Sequence, residues 1–182
     1  MNDSPHIRVL IVDDEPLARE MLREMLHADP QIAIVGEAGN GREAIEAIRN
    51  LTPDLIFLDV QMPALGGFEV LEALGTGSIP HVIFVTAFDQ YAVRAFEVHA
   101  LDYLLKPFDQ ERFDLSWQRA KAQIMRERNG GMDQRILALL EELKAGSRYL
   151  ERLVIKSGGR IYFLETNEID WIEAEGNYVS VH

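Results

Sequence analysis

The 182-residue sequence contains no cysteine, which excludes disulfides, thiolate metal sites and cysteine nucleophiles. It has no apolar run near the roughly 20 residues that a membrane-spanning helix needs. Its start, MNDSPHIRVLIVDDE, has neither the basic head nor the apolar core of a secretory signal. These absences point to a cytoplasmic protein. Positive charge is also scarce: 18 Lys and Arg stand against 30 Asp and Glu, a formal net charge of −12. That balance argues against a nucleic-acid binder held electrostatically along its whole length. It suits a protein that gathers carboxylates around a cation. The histidines, His6, His27, His81, His99 and His182, lie too far apart to share a ligand spacing and read as structural or surface residues.

What the sequence does have is alternation. Ile7–Val12 is an apolar run ending in Asp13-Asp14-Glu15, and Pro16 then opens a helix with Leu17, Met21, Leu22, Met25 and Leu26 at helical spacing. Ile32–Glu37 is a second short strand, followed by Asn40 as cap of a helix carrying Ala44, Ile45, Ala47 and Ile48. Leu55–Leu58 is wholly apolar and stops at Asp59. After the loop Met62–Gly67 come a helix around Phe68–Leu74, the strand His81–Thr86, a short helix through Tyr91–Phe96 and the strand Ala100–Leu105, which ends in Lys106-Pro107. A closing helix over Phe108–Arg128 places Phe113, Trp117, Ala120 and Ile124 on one face. Short apolar strands alternating with amphipathic helices predict an α/β fold, a parallel doubly wound sheet whose right-handed crossovers gather all strand ends at one edge. The glycines of GEAGNG at 36–41 are in the wrong order for a dinucleotide fingerprint and mark a loop.

The strands end in Asp13 and Asp14, Asp59, Thr86 and Lys106. Singly, each has a plain reading: a turn cap, a helix start, a hydroxyl cap, a solvated lysine. Brought to one sheet edge, three carboxylates demand a cation, and Mg²⁺ is the hard ion that takes a few carboxylates and keeps its waters. Metal, lysine and hydroxyl together make a phosphate-sized anion site in which an aspartate acts as nucleophile toward phosphorus. A Mg²⁺-dependent phosphohydrolase of the haloacid-dehalogenase type shares this chemistry, but its nucleophile ends the first strand as Asp-x-Asp, where this sequence has Asp-Asp-Glu.

Residues 7–125 resemble the receiver domain of two-component response regulators, through VDDE at 12–15, LDVQMP at 58–63, VTA at 85–87 and DYLLKPF at 102–108. The resemblance implies a five-stranded flavodoxin-like sheet of order 2-1-3-4-5. It implies Asp59 as phosphoacceptor and Mg²⁺ held by Asp13, Asp14, Asp59 and the backbone carbonyl of Gln61, with Asp14 the more direct ligand. Lys106 and Thr86 would bind the phosphoryl group, and Thr86 and Tyr103 would form a switch in which the ring turns inward as the hydroxyl moves. A cis peptide at Lys106-Pro107 is expected. The loop Ala64-Leu65-Gly66-Gly67 departs from the commoner Gly-Leu-Asp-Gly. The implied partners are a cognate sensor histidine kinase and a second copy in a homodimer, and the implied role is that of a phosphoryl acceptor, not a turnover enzyme.

The domain plan expected from the sequence is a receiver over 1–125, a linker over 126–149 and a β-rich segment over 150–182. In the linker, Asp133 caps a short helix with Ile136, Leu139, Leu140 and Leu143 on one stripe, ended by Gly146, which packs on its own chain or pairs in a dimer. The last segment has Ser157-Gly158-Gly159 and Gly176-Asn177 as hairpin turns and resembles the opening third of a LytTR-type DNA-binding domain. The sequence is therefore expected to be a piece of a longer chain. Promoter DNA is the partner implied for the full-length protein. From Ser147 onward four basic residues (Arg148, Arg152, Lys156 and Arg160) face six acidic ones, so this part is not expected to bind DNA by itself. Its unpaired strand edges invite self-association. The alternative is a receiver acting through protein contacts, without DNA output.

Overall fold

A computed structural model describes residues 6–75, 79–129, 152–157, 160–175 and 178–181. Ile7–Val12 forms β1 and Pro16–Leu26 forms α1, with the proline in the first turn where its missing N–H costs nothing. Strand β2 is Ile32–Ala38 and helix α2 is Gly41–Leu51. At the start of α2 the Asn40 side chain accepts from the Glu43 amide at 3.0 Å, while the Glu43 carboxylate accepts from the Gly39 amide at 2.9 Å. This reciprocal cap satisfies two otherwise orphaned donors. Leu55–Leu58 is β3, Gly67–Leu74 is α3, His81–Thr86 is β4, Ala92–Glu97 is α4 and Asp102–Leu105 is β5. Gln110–Asn129 is α5.

The five strands pair in parallel in the order β2-β1-β3-β4-β5. Every side chain of β3 is buried, as a central parallel strand covered on both faces requires. Alternate residues divide the core. Leu10, Val12, Ile56, Leu58, Phe84 and Tyr103 pack toward the side that carries Phe68 and Leu71 of α3 and Ile48 of α2. On the other side Val9, Ile11, Leu55, Phe57, Ile83 and Leu104 meet Leu22 and Leu26 of α1 and Phe113 and Trp117 of α5. Phe57 and Phe113 stack with ring centroids 5.7 Å apart.

Three boundaries differ from the sequence reading. Strand β5 begins at Asp102, not Ala100, because His99 takes a left-handed conformation (φ 57°) and the Ala100 amide still bonds the Ala95 carbonyl. The closing helix starts at Gln110, with the Asp109 carboxylate accepting from the Arg112 amide at 2.9 Å in the manner of an N-cap. That helix runs on through Asn129, four residues into the expected linker. Its last turns are fastened beneath the sheet, where Glu127 meets His81 at 3.0 Å and Arg128 meets Asp54 at 2.7 Å. The helix anticipated from Asp133 and the glycine turns at 158–159 and 176–177 lie outside the described residues.

Beyond the receiver, Arg152–Ser157 (β6) and Arg160–Glu165 (β7) form one antiparallel pair, and Ile172–Glu175 (β8) and Tyr178–Val181 (β9) form another. Strand β8 starts only at Ile172, since Thr166–Glu168 is a 3₁₀ turn and the Ile169 amide bonds back to the Thr166 carbonyl. No helix among the described residues is long and apolar enough to cross a membrane.

Asp29, just past α1, joins three elements. Its carboxylate accepts from Trp117 Nε1 at 2.9 Å and Lys121 Nζ at 2.7 Å on α5, and from the Gln31 amide at 2.9 Å. Burial alone would raise the acid, but these donors win and hold its pKa below the ordinary 3.8. Its contribution to stability is thus full above pH 3.8 and fades as pH falls through the lowered value. We expect Asp29→Ala to cost about 1–2 kcal/mol at pH 7, measured by urea unfolding, with the gap from the parent chain narrowing as pH falls through the lowered value.

Candidate functional site

Asp13 follows β1 and Asp59 follows β3, and the ladder between those strands sets them side by side, the Asp59 amide bonding the Val12 carbonyl at 2.9 Å. Both carboxylates are buried, with relative exposures of 1% and 7%. Carboxylate oxygens of Asp13, Asp14 and Asp59 all lie within 4.8 Å of one another. Two carboxylate charges about 4 Å apart repel by about 4 kcal/mol at an effective dielectric near 20, so the cluster needs a cation to stay ionised.

Lys106, following β5, provides one. Its Nζ donates to Asp13 Oδ2 at 2.7 Å and lies 3.4 Å from both Asp59 Oδ2 and Glu15 Oε2. Each buried acid splits its work between its two oxygens. Asp13 Oδ1 accepts from the Glu15 amide at 3.0 Å and Asp59 Oδ1 from the Gln61 amide at 3.1 Å, which leaves the Oδ2 atoms to Lys106. Burial pushes the Asp13 carboxyl above its ordinary value, and the Lys106 and Glu15 donors offset only part of that rise. For Lys106 burial acts downward, but the bond to Asp13 and the charges of Asp59, Asp13 and Glu15 overcome it and hold the ammonium above its usual value. The Lys106–Pro107 peptide is cis.

Thr86 ends β4 fully buried, and its Oγ1 has no hydrogen-bond partner. Its backbone carbonyl accepts from the Lys106 amide at 2.8 Å. A buried hydroxyl without a partner is costly, and at this sheet edge it offers a donor to an incoming oxygen. The Tyr103 ring is wholly buried; its hydroxyl donates to the Phe88 carbonyl rather than into the carboxylate cluster. Burial, followed by the charges of Asp59 and Asp89, raises its pKa.

The structure therefore brings together Asp13, Asp14, Asp59 and Lys106, with Thr86 at the end of β4 and Gln61 on the loop after β3. Gln61 turns its side chain outward to the Tyr91 hydroxyl at 2.9 Å, and its amide holds Asp59. Sequence reasoning missed Glu15, a third anion on Lys106, because an acid before a proline reads as a helix start. It also missed Arg19, whose Nη1 donates to the Asp13 carbonyl at 2.6 Å across the first turn of α1.

Comparison with known proteins agrees with the fold. The family model for the response regulator receiver domain matches residues 9–116. An uncharacterized response regulatory protein of Yersinia pestis is 41% identical over 175 residues, 96% of this chain and 68% of that protein. The transcriptional regulatory protein BtsR of Escherichia coli K12 is 40% identical over 178 residues, 97% of this chain and 70% of its own length. Among solved structures, the response regulatory domain of mrkE from Klebsiella pneumoniae superposes with a TM-score of 0.62 at 32% identity, covering 65% of this chain and 98% of that one.

Gly67 opens α3 directly against the acceptor strand. A Cβ there would stand 2.4 Å from the Asp59 carbonyl oxygen and 3.0 Å from Leu58 Cγ. Gly67→Ala must push the β3–α3 loop away from the site, so we expect a loss of about 1–3 kcal/mol in urea unfolding. The chemical shifts of the Asp59 and Val60 amides should move with it.

Proposed function

The chain belongs to the response regulator receiver family, and from that premise we propose that it is a switch thrown by phosphorylation of Asp59. The observation that carries this reading is the set of three clustered carboxylates with Lys106 Nζ among them, beside a buried hydroxyl that lacks a partner. A sensor histidine kinase would supply the phosphoryl group. An Asp59 oxygen attacks phosphorus, the N–P bond of the phosphohistidine breaks with its electron pair going to the imidazole, and an acyl phosphate forms on Asp59.

The donor set is all oxygen, which fits Mg²⁺: Asp13, Asp14, Asp59 and the Gln61 carbonyl would hold it, with Asp14, the more exposed acid, the more direct ligand. When bound, the ion neutralises charge on the transferring group. The chain's own residues do the rest. Lys106, placed 3.4 Å from Asp59 Oδ2, pairs with a phosphoryl oxygen, and Thr86 Oγ1 donates to another. Tyr103 acts with Thr86 as the switch residue. The protein accepts one group and holds it for a time, without turnover of a substrate.

For output, the tail's strand pattern supports the opening of a LytTR-type DNA-binding domain over 150–182, after a linker to residue 149. Regulation of transcription fits the chain's similarity to the transcriptional regulatory protein BtsR. Phosphorylation would promote a homodimer and so pair two DNA-reading units, with promoter contacts made by sequence beyond this stretch. The scarcity of basic residues in the tail supports that division.

Intact mass after incubation with a small phosphodonor and Mg²⁺ tests the assignment. A gain of one phosphoryl group that disappears in Asp59→Asn and with chelator is the expected result; a gain that survives Asp59→Asn would refute it. In a mobility-shift assay the chain should show no sequence-selective DNA binding at nanomolar concentration.

A further inference from the structure

The β6–β7 hairpin does not stand apart from the receiver. Along β7, Ile161 and Phe163 are buried at 2% and 5% relative exposure and join the same apolar cluster as Tyr103, Ala92 and Ala95. The Phe163 ring meets Phe96 of α4 edge to face, with centroids 6.1 Å apart. Strand β7 lies beside β5, the edge of the five-stranded sheet, yet among the described residues no ladder bonds join them. Two arginines of α5 supply the donors instead: Arg112 Nη2 to the Ile161 carbonyl at 2.9 Å and Arg119 Nη1 to the Phe163 carbonyl at 3.1 Å.

Arg112 is the central fastening. It is 3% exposed, grips both oxygens of the fully buried Asp102 at 2.6 and 2.8 Å, and donates to the Tyr103 carbonyl at 3.1 Å as well as to Ile161. One guanidinium thus bonds the backbone of the switch residue and the backbone of the hairpin. A second route runs through the loop after β4. Thr86, whose hydroxyl lacks a partner, is two residues from Phe88, whose carbonyl takes the Tyr103 hydroxyl, and three from Asp89, which pairs with Lys156 of β6. Four consecutive residues therefore span from the carboxylate site to the hairpin.

We infer that the β6–β7 hairpin is the receiver's own docking partner, seated on α4, β5 and α5 in the arrangement with Tyr103 buried, and that phosphorylation of Asp59 and hairpin docking strengthen each other. The inference rests on the phosphoryl-acceptor reading above. An oxygen that engages Thr86 fixes the loop that carries Phe88 and Asp89, and that loop is part of the hairpin's seat. Linkage then requires the reverse at equilibrium: a docked hairpin favours the phosphorylated form. By holding the same loop, the hairpin also keeps Thr86 on the phosphoryl group and slows its loss. A hairpin that only covers the sheet edge would make the same apolar contacts and show no such coupling.

Hydrogen exchange of the whole chain, read by mass spectrometry with and without phosphodonor and Mg²⁺, tests this. Amides of 152–157 and 160–165 should exchange about five-fold or more slowly in the phosphorylated chain. Phe163→Asp should speed their exchange, leave β1–β4 protected and shorten the phosphoryl half-life. Lys156→Glu, which keeps the hairpin's apolar face, should act in the same direction to a smaller extent. Phosphorylation that leaves hairpin exchange unchanged or faster, or half-lives equal across the three chains, overturns the docking inference alone. No mass gain in any of them overturns the acceptor reading and the inference together.

Discussion

The contact of the Lys106 ammonium with the Asp13 and Asp59 carboxylates is what the rest of the receiver is built to hold. It spans three strand ends, with Nζ 2.7 Å from Asp13 and 3.4 Å from Asp59. None of the three groups would be tolerated alone: buried carboxylates lose their charge and a buried ammonium loses its proton. They meet only if β1, β3 and β5 keep their relative register, because one residue of slip sends each side chain to the other face. The apolar strands, buried and paired without irregularity from β1 through β3 and β4 to β5, provide that register.

The sheet also separates its two ends by task. Chemistry-bearing groups collect at the carboxyl edge, as open parallel sheets favour. The opposite edge carries bonds that only hold the frame, among them Arg8 Nη2 to the Leu51 carbonyl at 2.6 Å, Arg128 to Asp54 and Glu127 to His81. The acids and bases of the molecule are thus used in two ways, gathered around Lys106 at one edge and paired off one to one at the other.

The strands and their terminal residues were legible because each is a local pattern, a short apolar run that ends at a polar or charged residue. The cluster could be assembled from them by topology alone. The finer boundaries were not, since the late start of β5 depends on a left-handed His99 and the start of α5 on the Asp109 cap. Distance along the chain hid the Asp29 junction, and the buried pair of Asp102 and Arg112 escaped because its members read singly as surface charges. The tail's alternating strands were visible, but its placement on the receiver was not. That placement depends on arginines of α5 meeting backbone carbonyls of β7, and carbonyls leave no trace in a residue string.

Helix α5 is gripped at three heights: by Asp102 near its start, by Asp29 in its middle and by Asp54 at its end. A rod so fastened cannot slide along its own axis without breaking all three. Arg112 and Arg119 therefore stand at set heights along it, and the spacing at which the Ile161 and Phe163 carbonyls of β7 must meet them is fixed by carboxylates that belong to the receiver.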